Sequence, residues 1–373
     1  MEKHQVIIIG AGPAGATCAK ALHDAGVQAL IIEKELLPRH KTCSGVLFGQ
    51  TQELLLQFFG ALPPEDIYCE PKTIHASQII EWKHEQGFIQ YFWEIPKNGH
   101  AFPQTYFNAW RNKFDHWLVK QSGAALRENC LFRGFTAEQE QIRVDVFLRG
   151  SKILEPGGKG DPNRTIQCDY LVGADGSASA VRRALTPDVW AATPEVIYYQ
   201  EYCPITDMGT LHEGCWHVFF EKSVGKMLCC VHRKDDYLVP CVGSFRGGDL
   251  RACMEAFKGF LGENFKVILG RQERVEGVVI KMWQPDLGRG RVLLAGEAGG
   301  FRYLNDEGID AAMDSGYRCG TAIARALREG SDALEYYRES AEDILRHVQK
   351  CAEQMQFLVD KKKEKNHLFS ALR

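Results

Sequence analysis

The chain opens on a short, unbroken apolar run, Val6 to Ile9, just after Gln5. All four residues are β-branched, which predicts a strand buried on both faces of a parallel sheet. Gly10-Ala11-Gly12-Pro13-Ala14-Gly15 follows at once. Small or apolar residues then recur at Ala14, Ala16, Cys18, Ala19, Leu22 and Ala25, which predicts a helix stopped by Gly26. A second apolar run, Val27 to Ile32, reads as another strand and ends on Glu33. Aromatic and β-branched residues crowd the segments 76–100 and 190–283, as in Phe88 to Trp93 and Trp216 to Phe220. Their alternation predicts strands of a second sheet. Over 330–373, Leu334, Tyr337, Ile344, Val348, Met355 and Leu358 fall at helical spacing.

The opening thus reads strand, G-x-G-x-x-G, helix, strand, acid. That is the full context of a dinucleotide-binding unit. Gly10 permits the tight turn, Gly12 lets a pyrophosphate approach the backbone, and Gly15 lets helix and strand pack closely. The helix start at Pro13 and Ala14 offers free amides and a positive dipole to phosphates. Glu33 can accept hydrogen bonds from ribose hydroxyls, and its charge repels a 2′-phosphate. FAD or NAD is therefore expected, rather than NADP.

Composition narrows the class. The 373 residues carry 45 Lys+Arg against 48 Asp+Glu, a formal charge of -3. That balance excludes a strongly basic nucleic-acid binder. The length suggests two or three domains. No uncharged apolar run reaches the roughly 18 residues a membrane span needs. The N-terminus has no signal-peptide layout, so a cytoplasmic protein is expected. The thirteen cysteines are odd in number and contain no C-x-x-C pair. They predict reduced thiols rather than a disulfide framework, and no metal site.

Four further blocks carry a family resemblance. Arg39-His40-Lys41-Thr42-Cys43-Ser44-Gly45, after Glu33 and Lys34, resembles the K-x-C-(G/S)-G segment of geranylgeranyl reductase-like flavoproteins, which share the FAD fold of the aromatic hydroxylases. Arg111 to Leu118 resembles that family's R-x-x-F-D-x-W-L helix. Tyr170 to Arg183 contains its D-G motif at Asp175-Gly176. Arg291 to Gly316 resembles G-D-A-A-G-F…G-E-G-I…A-x-x-S-G, with Glu297 in place of the acid's Asp. The resemblance implies that FAD runs along Lys34, Lys41, Cys43, Ser44 and Gly45, with Cys43 near the isoalloxazine. It implies FAD contacts from Arg111, Asp175 and Gly176, a ribitol contact from Glu297, and a helix start at Gly308-Ile309 directed at the flavin ring.

The expected architecture is α/β. An interrupted Rossmann-type FAD-binding domain spans 1–75, 101–189 and 284–329. An inserted antiparallel-sheet substrate domain spans 76–100 and 190–283, and C-terminal helices occupy 330–373. The resemblance implies an oxidoreductase that passes hydride from reduced FAD to a carbon-carbon double bond of a small apolar, isoprenoid-like substrate. NAD(P)H or another reductant would supply electrons. An FAD hydroxylase and a non-catalytic flavin sensor are the alternatives. The substrate side departs from the reductase pattern: Phe219-Phe220-Glu221-Lys222 and Met227 to Lys234 replace an expected aromatic-x-W-x-F-P block, and the Phe301–Glu307 loop is one residue short. His217, Tyr91, Cys43 and water are candidate proton donors, and no residue is assigned as catalytic. The Lys361 to Lys365 run suits a solvated tail better than a contact with anionic lipid at the inner membrane face.

Overall fold

Val6, Ile7 and Ile8 are completely buried, and successive residues enter different cores. Val6 and Ile8 join one apolar cluster, Ile7 and Ile9 another. This is the two-faced burial that the β-branched run predicts. The structure is a computed structural model describing residues 2–74, 76–83, 87–94, 106–138, 141–149, 163–220, 229–282, 284–303, 308–351 and 353; of 76–94, 163 and 220 only the backbone is described. The Tyr91 side chain, Glu307, Met355, Leu358 and the Lys361 to Lys365 run lie outside the described residues.

The first sheet is built around strand Lys3–Ile9. It pairs in parallel with Ala29–Ile32 on one side and with Asn163–Gly173 on the other. Ala125–Arg127 and Val292–Leu294 extend the parallel order outward, and Gly288–Arg289 closes one edge antiparallel. Helices Pro13–Asp24 and Ile309–Glu329 contribute to the cluster on one face. Strands supply much of the other face: Cys130–Ala137 and Ile142–Leu148 form an antiparallel meander on Asn163–Gly173 and contribute Phe132, Val144 and Val146 to its core, joined by Val181 of the short Ala180–Leu185 helix.

The two helices touch backbone to backbone. A Cβ at Gly316 would stand 2.2 Å from the Ala14 carbonyl oxygen, and one at Gly320 would stand 2.3 Å from that of Cys18. Gly296 has a positive φ of 61° and sits against Ala14 at the same junction.

The second sheet orders its strands as Ile268–Leu269, Glu195–Asp207, Tyr237–Phe245, Cys229–Lys234, Cys215–Phe220, Ala76–Lys83 and Gly87–Glu94. Arg274–Lys281 also pairs with Glu195–Asp207. The pairing is antiparallel except between Cys215–Phe220 and Ala76–Lys83, which run parallel. Helix Leu250–Phe265 covers one face through Met254, Phe257, Leu261 and Phe265. A small sheet of Val46–Leu47, Tyr106–Ala109 and Tyr68–Ile74 lies between the two large ones. Val46 and Ile74 there meet Trp216, Val218 and Cys230 of the second sheet in a shared apolar cluster. Beyond the long helix, Ala333–Ser340 and residues 342–351 are helical, as the spacing predicts. Among the described residues no helix is long and apolar enough to cross a membrane.

Candidate functional site

The glycine loop separates packing glycines from one that packing does not explain. Gly10 has φ 108°, and a Cβ there would lie 2.4 Å from the Ala174 carbonyl oxygen. A Cβ at Gly15 would lie 2.0 Å from the Gly10 carbonyl oxygen, so helix and strand cannot part to admit one. Gly12 is different. Its φ is -90°, and a Cβ would meet only the Arg39 guanidinium, at 3.8 Å. Nothing in the chain needs glycine there; a ligand lying against the loop does. Gly12 caps helix Pro13–Asp24 without a side-chain hydrogen bond, and Pro13 occupies its first turn. Pro13, Ala14 and Gly15 are buried, so the helix start is offered as backbone.

Glu33 is buried and engaged by the chain. Its carboxylate accepts from the Ala11 amide at 3.0 Å and the Glu35 amide at 3.2 Å, and pairs with Arg39 Nε at 3.1 Å. It therefore fixes the loop. Arg39 also reaches Asp115 at 3.1 Å, and Asp115 binds Arg111 Nε at 3.0 Å. The result is a buried row of alternating charge: Glu33, Arg39, Asp115, Arg111. Burial alone would pull the Arg39 guanidinium down, yet Asp115 and Glu33 hold it above its ordinary value. Arg111 is likewise raised, burial being outweighed by Asp115 and Cys43. Sequence reasoning placed Arg111 here but passed over Arg39 and Asp115. The acid of the R-x-x-F-D helix and the first base of the Arg39–Gly45 stretch were the available signals. Lys34 does not join the row; it is exposed and lies 4.0 Å from Glu35.

The Cys43-Ser44-Gly45 turn is locked between the two sheets. The Gly45 amide donates to Cys43 Sγ at 3.4 Å, and the Ser44 carbonyl contacts His232 Nε2 at 3.1 Å. Gly45 has φ 72°, and a Cβ there would stand 2.2 Å from the Ala109 carbonyl oxygen and 2.9 Å from Lys234 Nζ. Lys234 is itself buried. Its ammonium donates to the Ala109 carbonyl at 2.7 Å and Asn108 Oδ1 at 3.1 Å, and lies 3.6 Å from Cys69 Sγ. Burial pulls its pKa down, while Cys69 and Cys43 oppose that. With three donors and three contacts, Lys234 serves as a tie.

A small pocket opens beside this turn, lined by Lys41, Cys43, Trp110, Arg111, Tyr202, Lys234, Arg274 and Glu276 among others. Trp110 and Tyr202 stack with centroids 6.0 Å apart, and the Arg274 guanidinium lies 3.6 Å over the Tyr202 ring. Arg274 also pairs with Glu276 at 3.2 Å. A second opening is lined by Lys281, Glu297, Gly300 and Arg302. Strand Arg274–Lys281 borders both. At about 3.3 Å per residue, Glu276 and Lys281 are roughly 17 Å apart.

Asp175 has a structural task within the chain. Its buried carboxylate accepts from the Ser179 hydroxyl and from the Ala180 amide at 2.7 Å, so it caps the short Ala180–Leu185 helix. Burial raises its pKa, and these hydrogen bonds oppose the rise. Gly176, with φ 78°, faces Glu297 Oε2, which a Cβ would approach to 3.8 Å. Arg182 joins the two blocks by donating to the carbonyls of Ala298 at 3.0 Å and Gln284 at 2.8 Å. The Glu297 carboxylate makes no hydrogen bond or ion pair among the described residues, and it lines the second opening. Gly308 caps helix Ile309–Glu329 with φ -130°, a conformation that does not call for glycine, and Ile309 is buried behind it.

Two acids and bases near these elements have displaced pKa values. Burial pushes Asp310, in the first turn of that helix, up to about 6 from 3.8. A raised folded-state pKa means that stability present below about 4 is lost as pH rises to about 6. Asp310→Asn is thus expected to add roughly 2–3 kcal/mol at pH 7 and nothing below pH 4, read by urea titration across that window. His217 is fully buried, its Nε2 lies 2.9 Å from the His212 carbonyl oxygen, and burial lowers its pKa to about 4. Strand alternation puts it on the side of Phe219, beneath helix Leu250–Phe265 and away from Cys43. It is removed from the proton-donor candidates.

The residues present fit FAD: an open cradle at Gly12, a guanidinium beside it, and at Glu297 a carboxylate with no partner among the described residues. Comparison with known proteins agrees. Residues 3–245 match the FAD binding domain family. An uncharacterized protein of Methanosarcina barkeri is 26% identical over 371 residues, covering 93% of this chain and 81% of the relative. The structure of a geranylgeranyl bacteriochlorophyll reductase-like protein from Thermoplasma acidophilum superposes with a TM-score of 0.79 at 15% identity, covering 97% of this chain and 88% of the other. That of p-nitrophenol 4-monooxygenase from Pseudomonas putida gives 0.68 at 16% identity, covering 100% and 92%. The matched family spans well over half the residues and the fold is shared throughout, so the chain belongs to the FAD binding domain family and is an FAD-dependent oxidoreductase.

Proposed function

We propose that this oxidoreductase reduces a carbon-carbon double bond of a small apolar substrate of the isoprenoid class. The bound cofactor, reduced by NAD(P)H or another donor, supplies the hydride. The chain's own residues do the rest. Gly12, the helix start and Arg39 hold the diphosphate, while Glu33 fixes the loop beside the ribose. Arg111, held rigid by Asp115, borders the pocket at Cys43, and Glu297 waits at the second opening.

The observation that carries this reading is the locked Cys43-Ser44-Gly45 turn at the pocket mouth, backed by the apolar cluster of Val46, Phe48, Tyr106, Trp216 and Val218. The higher superposition with the reductase-like protein supports it further. A hydroxylase is the second reading, favoured by the polar pocket walls of Lys41, Arg274 and Glu276 and by the fold shared with a monooxygenase. Rapid mixing separates them. Reduced protein, anaerobic and mixed with a prenyl alkene, should reoxidise at least tenfold faster than without it and yield the saturated product. An oxygenated product formed only with oxygen would replace the reductase by the hydroxylase. If no alkene or aromatic changes the reoxidation rate, both readings fall.

A further inference from the structure

Strand Cys229–Lys234 splits its residues between two faces. Cys229 and Val231 enter the core beneath helix Leu250–Phe265, whereas Cys230 joins the cluster with Val46, Trp216 and Val218. His232 and Lys234 share the face of Cys230 by alternation, and both bear on the Cys43–Gly45 turn. Cys241, on the neighbouring antiparallel strand, stands directly opposite Cys230 and packs on the same cluster.

Directly opposed residues in such a ladder have Cα atoms about 4.5–5.5 Å apart. A disulfide accepts Cα separations of about 4.4–6.8 Å, so the bond needs little backbone adjustment. The two thiols share a hydrogen bond, which holds Cys230 below the ordinary thiol range against burial and pushes Cys241 well above it. Cys241 is partly exposed, which gives an oxidant entry. The contrasting pair is Cys18 and Cys319. They also hydrogen-bond, but both are wholly buried at the helix crossing.

We propose that Cys230 and Cys241 are a redox-active dithiol on the cofactor side of the second sheet, oxidised by peroxide to a cross-strand disulfide. Hydrogen peroxide first takes one of the two sulfurs to the sulfenic acid, releasing one water. The other thiol then displaces the second water and forms the S–S bond. In sum, two thiols and one peroxide give one disulfide and two waters. The bond staples the strand that carries His232 and Lys234 to its neighbour Tyr237–Phe245, and so stiffens the support of the Cys43 turn. This assignment does not depend on which substrate the enzyme reduces.

The test uses the wild-type, FAD-loaded protein. It is exposed to hydrogen peroxide, denatured in excess N-ethylmaleimide, digested and mapped by mass spectrometry. Two of the thirteen thiols should be lost, recovered as one Cys230–Cys241 peptide pair two hydrogens lighter than the free thiols. Dithiothreitol should restore both. Cys241→Ser should instead leave Cys230 as a sulfenic acid trapped by dimedone. Recovery of both cysteines alkylated after peroxide, or a bond between other cysteines, overturns the proposal.

Discussion

Gly12→Asp should fold normally and come out colourless. Gly12 is the N-cap of helix Pro13–Asp24, a position where an Asp side chain stabilises a helix rather than breaking it. The surrounding protein also has room, since a Cβ meets only Arg39, at 3.8 Å. The new carboxylate would pair with that guanidinium and stand where the diphosphate must lie. The ligand then loses its cation and faces a like charge. A loss near 3 kcal/mol or more is expected, a Kd at least about a hundredfold weaker. Flavin fluorescence titration of the apoprotein reads the binding, and its Tm, unchanged or slightly raised, shows that folding survived. Wild-type affinity for FAD in this variant would remove the glycine loop from the cofactor site.

Asp115→Ala should be the most damaging single change for stability. Asp115 is completely buried and joins Arg39 to Arg111. Its removal leaves two buried guanidinium groups facing each other with only Glu33 to balance them. Breaking a buried pair by deleting one partner costs about 3–5 kcal/mol. Urea unfolding of the apoprotein should show a loss of that size. Arg39→Met should cost less, because Asp115 keeps Arg111 as partner, yet it should weaken FAD binding by about tenfold or more through the missing cation. If Asp115→Ala left the unfolding midpoint unchanged, the charge row would be ornamental.

What could be read from the sequence follows contact range. Gly10 and Gly15 answer to each other and to the strand beside them, so their roles follow from a motif of six residues. Arg39 and Asp115 are 76 positions apart. No local pattern shows that one side chain will meet the other, and the row they form emerges only in the fold. Lys234 escaped notice for the same reason, since its partners come from Cys69 and Tyr106–Ala109. Helix Leu250–Phe265 was legible at positions 254, 257, 261 and 265, but the aromatic richness around it reads as strand. His217 drew attention as a histidine among aromatics. The period of two that predicts its strand also turns it away from the pocket, once it is known which face is which. Asp175 was found by resemblance, and the structure gives its carboxylate a capping task.

The glycines at 316 and 320 set how firmly the base of the glycine loop is held. Where the two helices cross, backbone meets backbone, and the small side chains of Thr17 and Ala21 flank the contact. The start of helix Pro13–Asp24 is therefore fused to its neighbour, and a bulkier residue at either glycine would have to prise the two apart.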